Sequence, residues 1–365
     1  MTEFLAEYGL FLAKAITVVV AVVLAVAGIV MAVSSSRKSS SEGDIEVVCL
    51  NDELEDMRHC LEEAVLDKID YKAQVKAERK QEKADEKARK RELKALKKKG
   101  AVKVDDEAET ERGKRFYVLD FDGDMHASEV EQLREQISAV LMLADERDEV
   151  VIRLESPGGL VHAYGLASSQ LERIKRKGIP LTVCVDQVAA SGGYMMACLA
   201  DKLLAAPFAV IGSIGVVAQM PNFYKLLKKH DIDVEILTAG EYKRTLTMFG
   251  ENTDKGREKF VEELEDTHEL FKDFVSEYRS QLDIESVATG EIWFGKRALD
   301  VKLVDGLITS DEYLMEACES SDVFVVRYEM KKTLQERIAD MGVHALDRAF
   351  SRIWEQGLKA RFLSR

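Results

Sequence analysis

Between residues 116 and 237, short apolar runs alternate with helix-compatible stretches, and this alternation limits the possible folds more than any other feature of the 365-residue chain. Strand-like runs fall at 116–121, 149–154, 181–185, 202–206, 210–217 and 234–237. Helical stretches fall between them at 128–143, 161–177, 194–200 and 224–230. Strand and helix alternating at this spacing imply βαβ units, so the expected class is α/β, with a mostly parallel sheet and helices outside it. Ser128 followed by Glu131 predicts a capping box at the first of these helices. Gly178 predicts the stop of the second.

One turn in this pattern carries chemical potential. Val188-Ala189-Ala190-Ser191-Gly192-Gly193-Tyr194 lies between the apolar run 181–185 and the helix-compatible run 194–200. Ser191 is therefore expected where a strand turns sharply into a helix. The two glycines behind it let another backbone come close and leave N–H groups free to meet a ligand. This is the logic of a nucleophile elbow, although the common form has glycine two residues before the serine and Ala189 stands there. A small-residue turn that only packs a helix on a sheet would read the same way, so the decision rests on what accompanies it.

Three features accompany it. Ser156-Pro157-Gly158-Gly159 ends a strand ahead of a helix. Its proline fixes the turn and its glycines expose backbone N–H groups, as an oxyanion hole requires. Ile211-Gly212-Ser213-Ile214-Gly215-Val216 is a small-residue strand or turn with one hydroxyl, which a tight backbone crossing would also explain. Thr238-Ala239-Gly240-Glu241-Tyr242-Lys243-Arg244 puts Lys243 after a glycine turn. A lone lysine in a charged protein is ordinarily a solvated surface group. It can nevertheless serve as a base where burial disfavours its ammonium form, and a hydroxyl such as that of Ser213 can orient the amine. The histidines nearest in sequence, His162 and His230, have no acidic partner at motif spacing. Serine–lysine pairs are a recognised variant of the serine–histidine arrangement.

The rest of the composition excludes other chemistries. Five cysteines, Cys49, Cys60, Cys184, Cys198 and Cys318, are scattered without a CxxC pair, so they suggest neither a disulfide framework nor a zinc site. Cys184 and Cys198 fall in apolar runs and are expected in the core. The six histidines show no metal-ligand spacing. A net charge of −14 argues against nucleic acid as a partner.

Outside the α/β region the chain changes character. Residues 15–33 form an apolar run long enough to cross a bilayer as a helix. Glu3 and Glu7 precede it, so it lacks the basic start of a cleavable signal peptide and is expected to stay as an anchor. Arg37 and Lys38 follow it, and that charge order by itself places the C-terminal bulk in the cytoplasm. Residues 51–70 carry Leu54, Met57, Leu61, Val65 and Ile69 at helical spacing. Residues 72–99 are almost entirely Lys, Arg, Glu, Ala and Gln, which suits a solvated helical or disordered spacer, or a basic segment resting on anionic headgroups. Beyond Gly240 a long charged helix is expected over 254–280, with Phe260, Leu264, Leu270 and Phe274 on its apolar side. A strand follows at 323–328. An amphipathic helix at 333–363, striped by Leu334, Ile338, Met341, Leu346, Phe350, Ile353 and Trp354, is expected to pack on the domain or a subunit interface. The expected organisation is an anchor at 1–36, a lysine-rich region at 37–112, a catalytic domain at 113–330 and the C-terminal helix at 331–365.

Taken in order, SPGG, AASGGYMMA, IGSIGV and TAGEYK resemble the signal peptide peptidase A family of membrane serine–lysine proteases. The anchor and lysine-rich region make the chain most similar to the SohB-type members. The motifs cover about residues 115–311, and the first 110 residues match by character alone. The resemblance implies Ser191 as nucleophile, Lys243 as general base, Gly158 with Gly192 as the oxyanion hole, and Ser213 as the hydroxyl that positions the lysine. It implies a crotonase/ClpP-like α/β spiral that works without cofactor or metal. Polypeptide substrates are implied, namely remnant signal peptides and misfolded or membrane-associated chains. One catalytic domain per chain implies a homo-oligomer, such as an octamer, with substrate grooves between neighbours. The resemblance also implies the cell inner membrane, with lipid met through the N-terminal helix and the catalytic domain in the periplasm, the opposite side from the charge reading.

Two other functions fit parts of the pattern. A crotonase-type acyl-CoA enzyme shares the sheet and the glycine oxyanion hole but needs neither Ser191 nor Lys243. A non-catalytic membrane scaffold would keep the fold without needing the intact pair.

Overall fold

The computed structural model describes residues 43–67, 80, 84, 87 and 112–329. Ile45–Glu329 forms one compact unit. A second unit, Met1–Asp44 with Met330–Arg365, lies almost wholly outside the described residues. The expected anchor, most of the lysine-rich region and the C-terminal amphipathic helix therefore lie outside them. Among the described residues no helix is long and apolar enough to cross a membrane.

The compact unit is a mixed α/β fold dominated by parallel strands. It begins with β1 (Asp44–Cys49) and α1 (Leu50–Val65). After the undescribed stretch come β2 (Arg115–Asp122), α2 (Val130–Leu143), β3 (Glu149–Glu155), α3 (Val161–Arg176) and β4 (Leu181–Val185). Then follow β5 (Val188–Ala190), α4 (Gly192–Ala197), β6 (Lys202–Ala205), β7 (Val210–Gly212) and α5 (Tyr224–Lys229). The C-terminal part adds α6 (Asp254–Tyr278), α7 (Ile284–Val287), β8 (Ile292–Phe294), α8 (Gly295–Asp300), β9 (Gly306–Leu307), α9 (Ser310–Cys318) and β10 (Asp322–Glu329). A seven-stranded sheet has the order β1-β10-β2-β3-β4-β6-β9, and its pairs from β10 to β9 are parallel. A three-stranded sheet has the order β5-β7-β8, the first pair parallel and the second antiparallel.

The large sheet is covered on both faces, and the strand period of two shows it. Tyr117, Leu119 and Phe121 of β2 enter one apolar cluster with α2, α3 and α4. Phe116 and Val118 enter the other with Leu314 and Ala317 of α9. Strand β4 is buried at every position, which is why Leu181–Val185 reads as an unbroken apolar run without alternation. Cys184 and Cys198 lie in this core as expected, and burial pushes the Cys184 thiol up to about 12, so it stays protonated.

Several expectations need correction. Ser128 caps nothing: its hydroxyl donates to Asp124 Oδ2 (2.7 Å), and the helix starts at Val130 behind Glu129. Ser128 therefore lies one residue outside the N-cap position, its N–H and hydroxyl both bonded to the Asp124 carboxylate. The run 210–217 is a strand only to Gly212, because Ser213 turns left-handed (φ 52°). Residues 234–237 form no strand; Leu237 is 91 % exposed and has no neighbouring strand to pair with. Helix α6 buries Phe271 and Val275, with Phe260, Leu264 and Phe274 half-buried on the same side as expected, while Leu270 alone of the expected four lies exposed (70 %). Residues 51–65 are helical as expected, but no residue of α1 is buried.

Candidate active site

The feature that delivers Ser191 is β5, a strand too short to be seen in the sequence. Val188–Ala190 is not the end of β4. It belongs to the second sheet, where it pairs with β7 through Val188↔Val210, Ala189↔Ile211 and Ala190↔Gly212. Ser156 grips its other side: Ser156 N–H donates to Val188 O (2.8 Å), and Ala190 N–H donates to Ser156 O (3.0 Å). The SPGG loop and the serine turn are thus tied by main-chain bonds before any side chain is considered.

Ser191 leaves this strand with φ 53° and ψ −118°, a conformation that costs a non-glycine residue about 1–3 kcal/mol. Two bonds hold it there: Ser191 N–H to Gly212 O (2.8 Å), and Met195 N–H to Ser191 O (3.0 Å). Behind it Tyr194, Met196, Ala197 and Cys198 are fully buried. A buried large side chain contributes roughly 1.5–3 kcal/mol, so the packing of α4 outweighs the strain at its first turn. Although Ser191 is the residue before the helix, its side chain makes no capping bond. Its hydroxyl is left half-buried and uncommitted.

The glycines of both motifs are required by close approach. Gly158 has φ 88°, and a Cβ there would meet Ala190 O at 2.7 Å, Gly192 N at 2.7 Å and Ser191 Cβ at 2.8 Å. A Cβ on Gly192 would fall on the ring of Tyr164, and one on Gly193 would meet Ser156 O at 2.5 Å. The backbone at Gly158 therefore lies directly against the Gly192 N–H and the serine. Gly192 begins α4, and the N–H of a first helical residue has no acceptor in its own helix. Ser213 follows β7 as Ser191 follows β5, so the Ala190↔Gly212 register sets the two serines side by side. A Cβ on Gly212 (φ 101°) would strike the Trp293 ring at 2.7 Å.

Lys243 is placed differently. It is exposed, and its backbone N–H bonds to Gly240 O (3.3 Å). Among the described residues of one copy its amine makes no hydrogen bond or ion pair, and none joins it to Ser191 or Ser213. Its neighbours are engaged elsewhere: Glu241 pairs with Lys255 (2.5 Å), and Lys255 and Lys259 sit over the Tyr242 ring. The structure brings together Ser191, Gly158, Gly192 and Ser213 but does not connect Lys243 to them. His162 and His230 are exposed, and among the described residues neither ring finds a hydrogen-bond partner. Among the described residues no group of three or more His, Cys, Asp or Glu is placed to hold a metal ion.

Sequence reasoning missed Tyr164 and the inward bonding of Ser156. Ser156 is fully buried, and its Oγ lies 2.6 Å from the Tyr164 hydroxyl and accepts from Gly158 N–H (3.1 Å). Tyr164 is also fully buried and donates to Asp124 O (2.7 Å). Burial pushes the Tyr164 phenol up, so it remains a neutral donor. The one sequence signal was a tyrosine amid the small residues of His162-Ala163-Tyr164-Gly165-Leu166-Ala167.

Comparison with known proteins gives this geometry a context. Residues 3–171 match the model of the peptidase family S49 N-terminal region, and residues 173–323 match that of peptidase family S49. The chain is 51 % identical to "Probable protease SohB" of Haemophilus influenzae over 92 % of each chain. It is 48 % identical to the protein of the same name from Buchnera aphidicola subsp. Schizaphis graminum, over 85 % of this chain and 86 % of the relative. A more distant likeness, 28 % identity, joins 46 % of this chain to 28 % of "Protease 4" of Haemophilus influenzae.

Proposed function

We propose, for a chain that belongs to peptidase family S49 and is of the SohB type, a serine endopeptidase that cleaves polypeptides through an acyl-enzyme on Ser191. The observation that carries this is the junction of the two motifs: a strained, uncapped Ser191 with the Gly158 backbone packed against its Cβ and against the Gly192 N–H. A packing turn has no need to strain a serine and leave its hydroxyl free.

In this reading Lys243 is the general base. Its neutral amine takes the Ser191 proton as Oγ attacks the scissile carbonyl carbon, and the charge that develops on the carbonyl oxygen meets the N–H groups of Gly158 and Gly192. Collapse breaks the C–N bond, and the leaving amine takes the proton back from the lysine ammonium. Water then attacks the ester, passing its proton to the lysine, and Ser191 is released protonated. Ser213, beside Ser191, orients the amine. Gly158 N–H keeps its long 3.1 Å bond to Ser156 Oγ and shares its hydrogen with the oxyanion.

Lys243 must also be brought in. Residues 231–249 are exposed almost throughout and carry large apolar side chains, among them Ile232, Val234, Ile236, Leu237 and Phe249. Exposed apolar surface of this extent supports packing against further copies of the chain, the expected homo-oligomer, with the base positioned on assembly. The two-sheet arrangement supports a crotonase/ClpP-like spiral. A membrane anchor at 15–33, remnant signal peptides or misfolded membrane-associated chains as substrates, and a periplasmic face of the inner membrane are carried by the sequence reading. The test is cleavage of a peptide substrate, with labelling by a serine-reactive acylating probe. Ser191→Ala is expected to abolish both, and Lys243→Ala to abolish cleavage while the oligomer persists. Near-normal cleavage by Lys243→Ala would remove the lysine from the mechanism.

A further inference from the structure

The two donors proposed for the oxyanion belong to different segments, one following β3 and one starting α4. Their relative position must be fixed to a few tenths of an ångström for both to reach one oxygen. A single side chain reaches both, one directly and the other through Ser156. The ring of Tyr164 occupies the space where a Cβ on Gly192 would sit, with its own Cβ 2.8 Å from that point. Its hydroxyl lies 2.6 Å from Ser156 Oγ, which accepts from the Gly158 N–H at 3.1 Å.

Counting protons gives these contacts a direction. A phenol has one hydrogen, and that of Tyr164 goes to Asp124 O (2.7 Å). Ser156 must then donate to the Tyr164 oxygen, which leaves the Ser156 lone pairs for Gly158 N–H. The result is a one-way chain: Gly158 N–H to Ser156, Ser156 O–H to Tyr164, Tyr164 O–H to the Asp124 carbonyl. Each hydroxyl donates once and accepts once, and such chains strengthen their members. Its far end is anchored as well. The Asp124 carboxylate accepts from the N–H groups of His126 (3.0 Å) and Ser128 (2.8 Å), and Met125 O accepts from Leu160 N–H (2.9 Å) just beyond the SPGG loop. Gly123 completes the fit, because a Cβ there would fall on Ser156 Oγ and meet the Tyr164 hydroxyl at 2.5 Å.

We propose that Tyr164 is the positioning residue of the oxyanion site, its ring setting the Gly192 N–H and its hydroxyl, through Ser156, setting the Gly158 N–H. The inference rests on the serine-peptidase reading and adds to it a residue that neither touches substrate nor belongs to the Ser191–Lys243 pair. Oxyanion donors act on charge present only in the transition state, so loosening them lowers kcat and leaves KM nearly unchanged.

The test uses the full-length protein with a peptide substrate. Tyr164→Phe keeps the ring against Gly192 and removes the hydroxyl. It is expected to lower kcat about tenfold, with KM within about twofold of the parent, because a misplacement short of losing a donor costs less than the roughly 10²–10³-fold of deleting one. Ser156→Ala cuts the same chain from the other end and carries the test if Tyr164→Phe does not fold. Its kcat is expected to fall similarly, and the double variant should be no worse than the worse single variant. A wild-type kcat in either folded variant, a higher kcat in Ser156→Ala, a loss confined to thermal stability, or losses that multiply in the double variant would each overturn the proposal. Ser191→Ala is measured beside them. If it still cleaves, the serine-peptidase reading falls and this inference with it. If it is inactive while Tyr164→Phe is unaffected, the inference alone falls.

Discussion

The two halves of the candidate site are built in opposite ways. The nucleophile half is interior structure: Ser191 is held by β5, β7 and the SPGG loop, and the helix behind it is fully buried. The base half is exterior: Lys243 lies on an exposed segment without regular structure, its amine unpaired within one copy. A strained serine needs a rigid surround, and only the packed core of one chain provides it. A lysine base needs desolvation, which an exposed segment acquires only when something covers it. In the function proposed above, one chain finishes the nucleophile and oxyanion site, and assembly is the proposed step that finishes the base.

The most severe way to break this arrangement is to delete either reacting group. Ser191→Ala and Lys243→Ala are each expected to lower kcat by ~10⁴-fold or more, and their double variant should lose no more than the worse single one. Steady-state cleavage checks this, and additive losses would show that the two residues do not act as a unit. Next comes Gly158→Ala. Its methyl would crowd Gly192 N and Ser191 Cβ at a backbone angle of φ 88°, so a loss of about 10²–10³-fold in kcat is expected, with the overall fold retained by circular dichroism. A fully active Gly158→Ala would show that this backbone is not at the reacting centre.

A smaller effect should come from the exterior half. Leu237→Glu places a charge on a side chain that is 91 % exposed in one copy. If residues 231–249 form an interface, light scattering should show a smaller particle, and activity should fall with it. A variant that assembles and cleaves like the parent would mean that this segment stays uncovered. The smallest effect concerns acid. The Ser128 N–H and hydroxyl, with the His126 N–H, hold the Asp124 carboxyl below the usual carboxylate range. A depressed folded value means that its stabilisation is present above the ordinary pKa and lost as pH falls through the folded one. Asp124→Asn should therefore resemble the parent more closely at low pH than at neutral pH when their melting temperatures are compared. An unchanged difference across that range would separate the Asp124 turn from acid stability.

Much of the interior half was legible in the sequence. The strands β2, β3 and β10 and the helices α2 and α3 announce themselves by a buried apolar face, and β4 by burial at every position, each of which leaves its mark in the sequence. Ser191 and the SPGG loop were legible because glycine is costly elsewhere and marks close approach here. Strand β5 was not, since three residues carry no period; it exists because Ser156 and β7 offer it partners on both sides. The stretch 234–237 failed in the reverse direction, having strand-like residues but no partner. Ser128 failed because Asp124 draws its N–H and hydroxyl into a turn and the helix starts beyond it, at Val130, and local spacing does not report such a turn.

The chain by itself determined the class of fold, the family and the four motifs, since hydrophobic period and small-residue spacing are properties of order along the chain. It could not determine that Tyr164 would reach Asp124, Ser156 and Gly192 at once, or that Lys243 would stand apart from Ser191 within one copy. Those outcomes depend on which backbones meet in space. The packing of two sheets decides them, because an uncommitted hydroxyl, a borrowed carbonyl and an uncovered amine are defined by their neighbours and not by their positions in sequence.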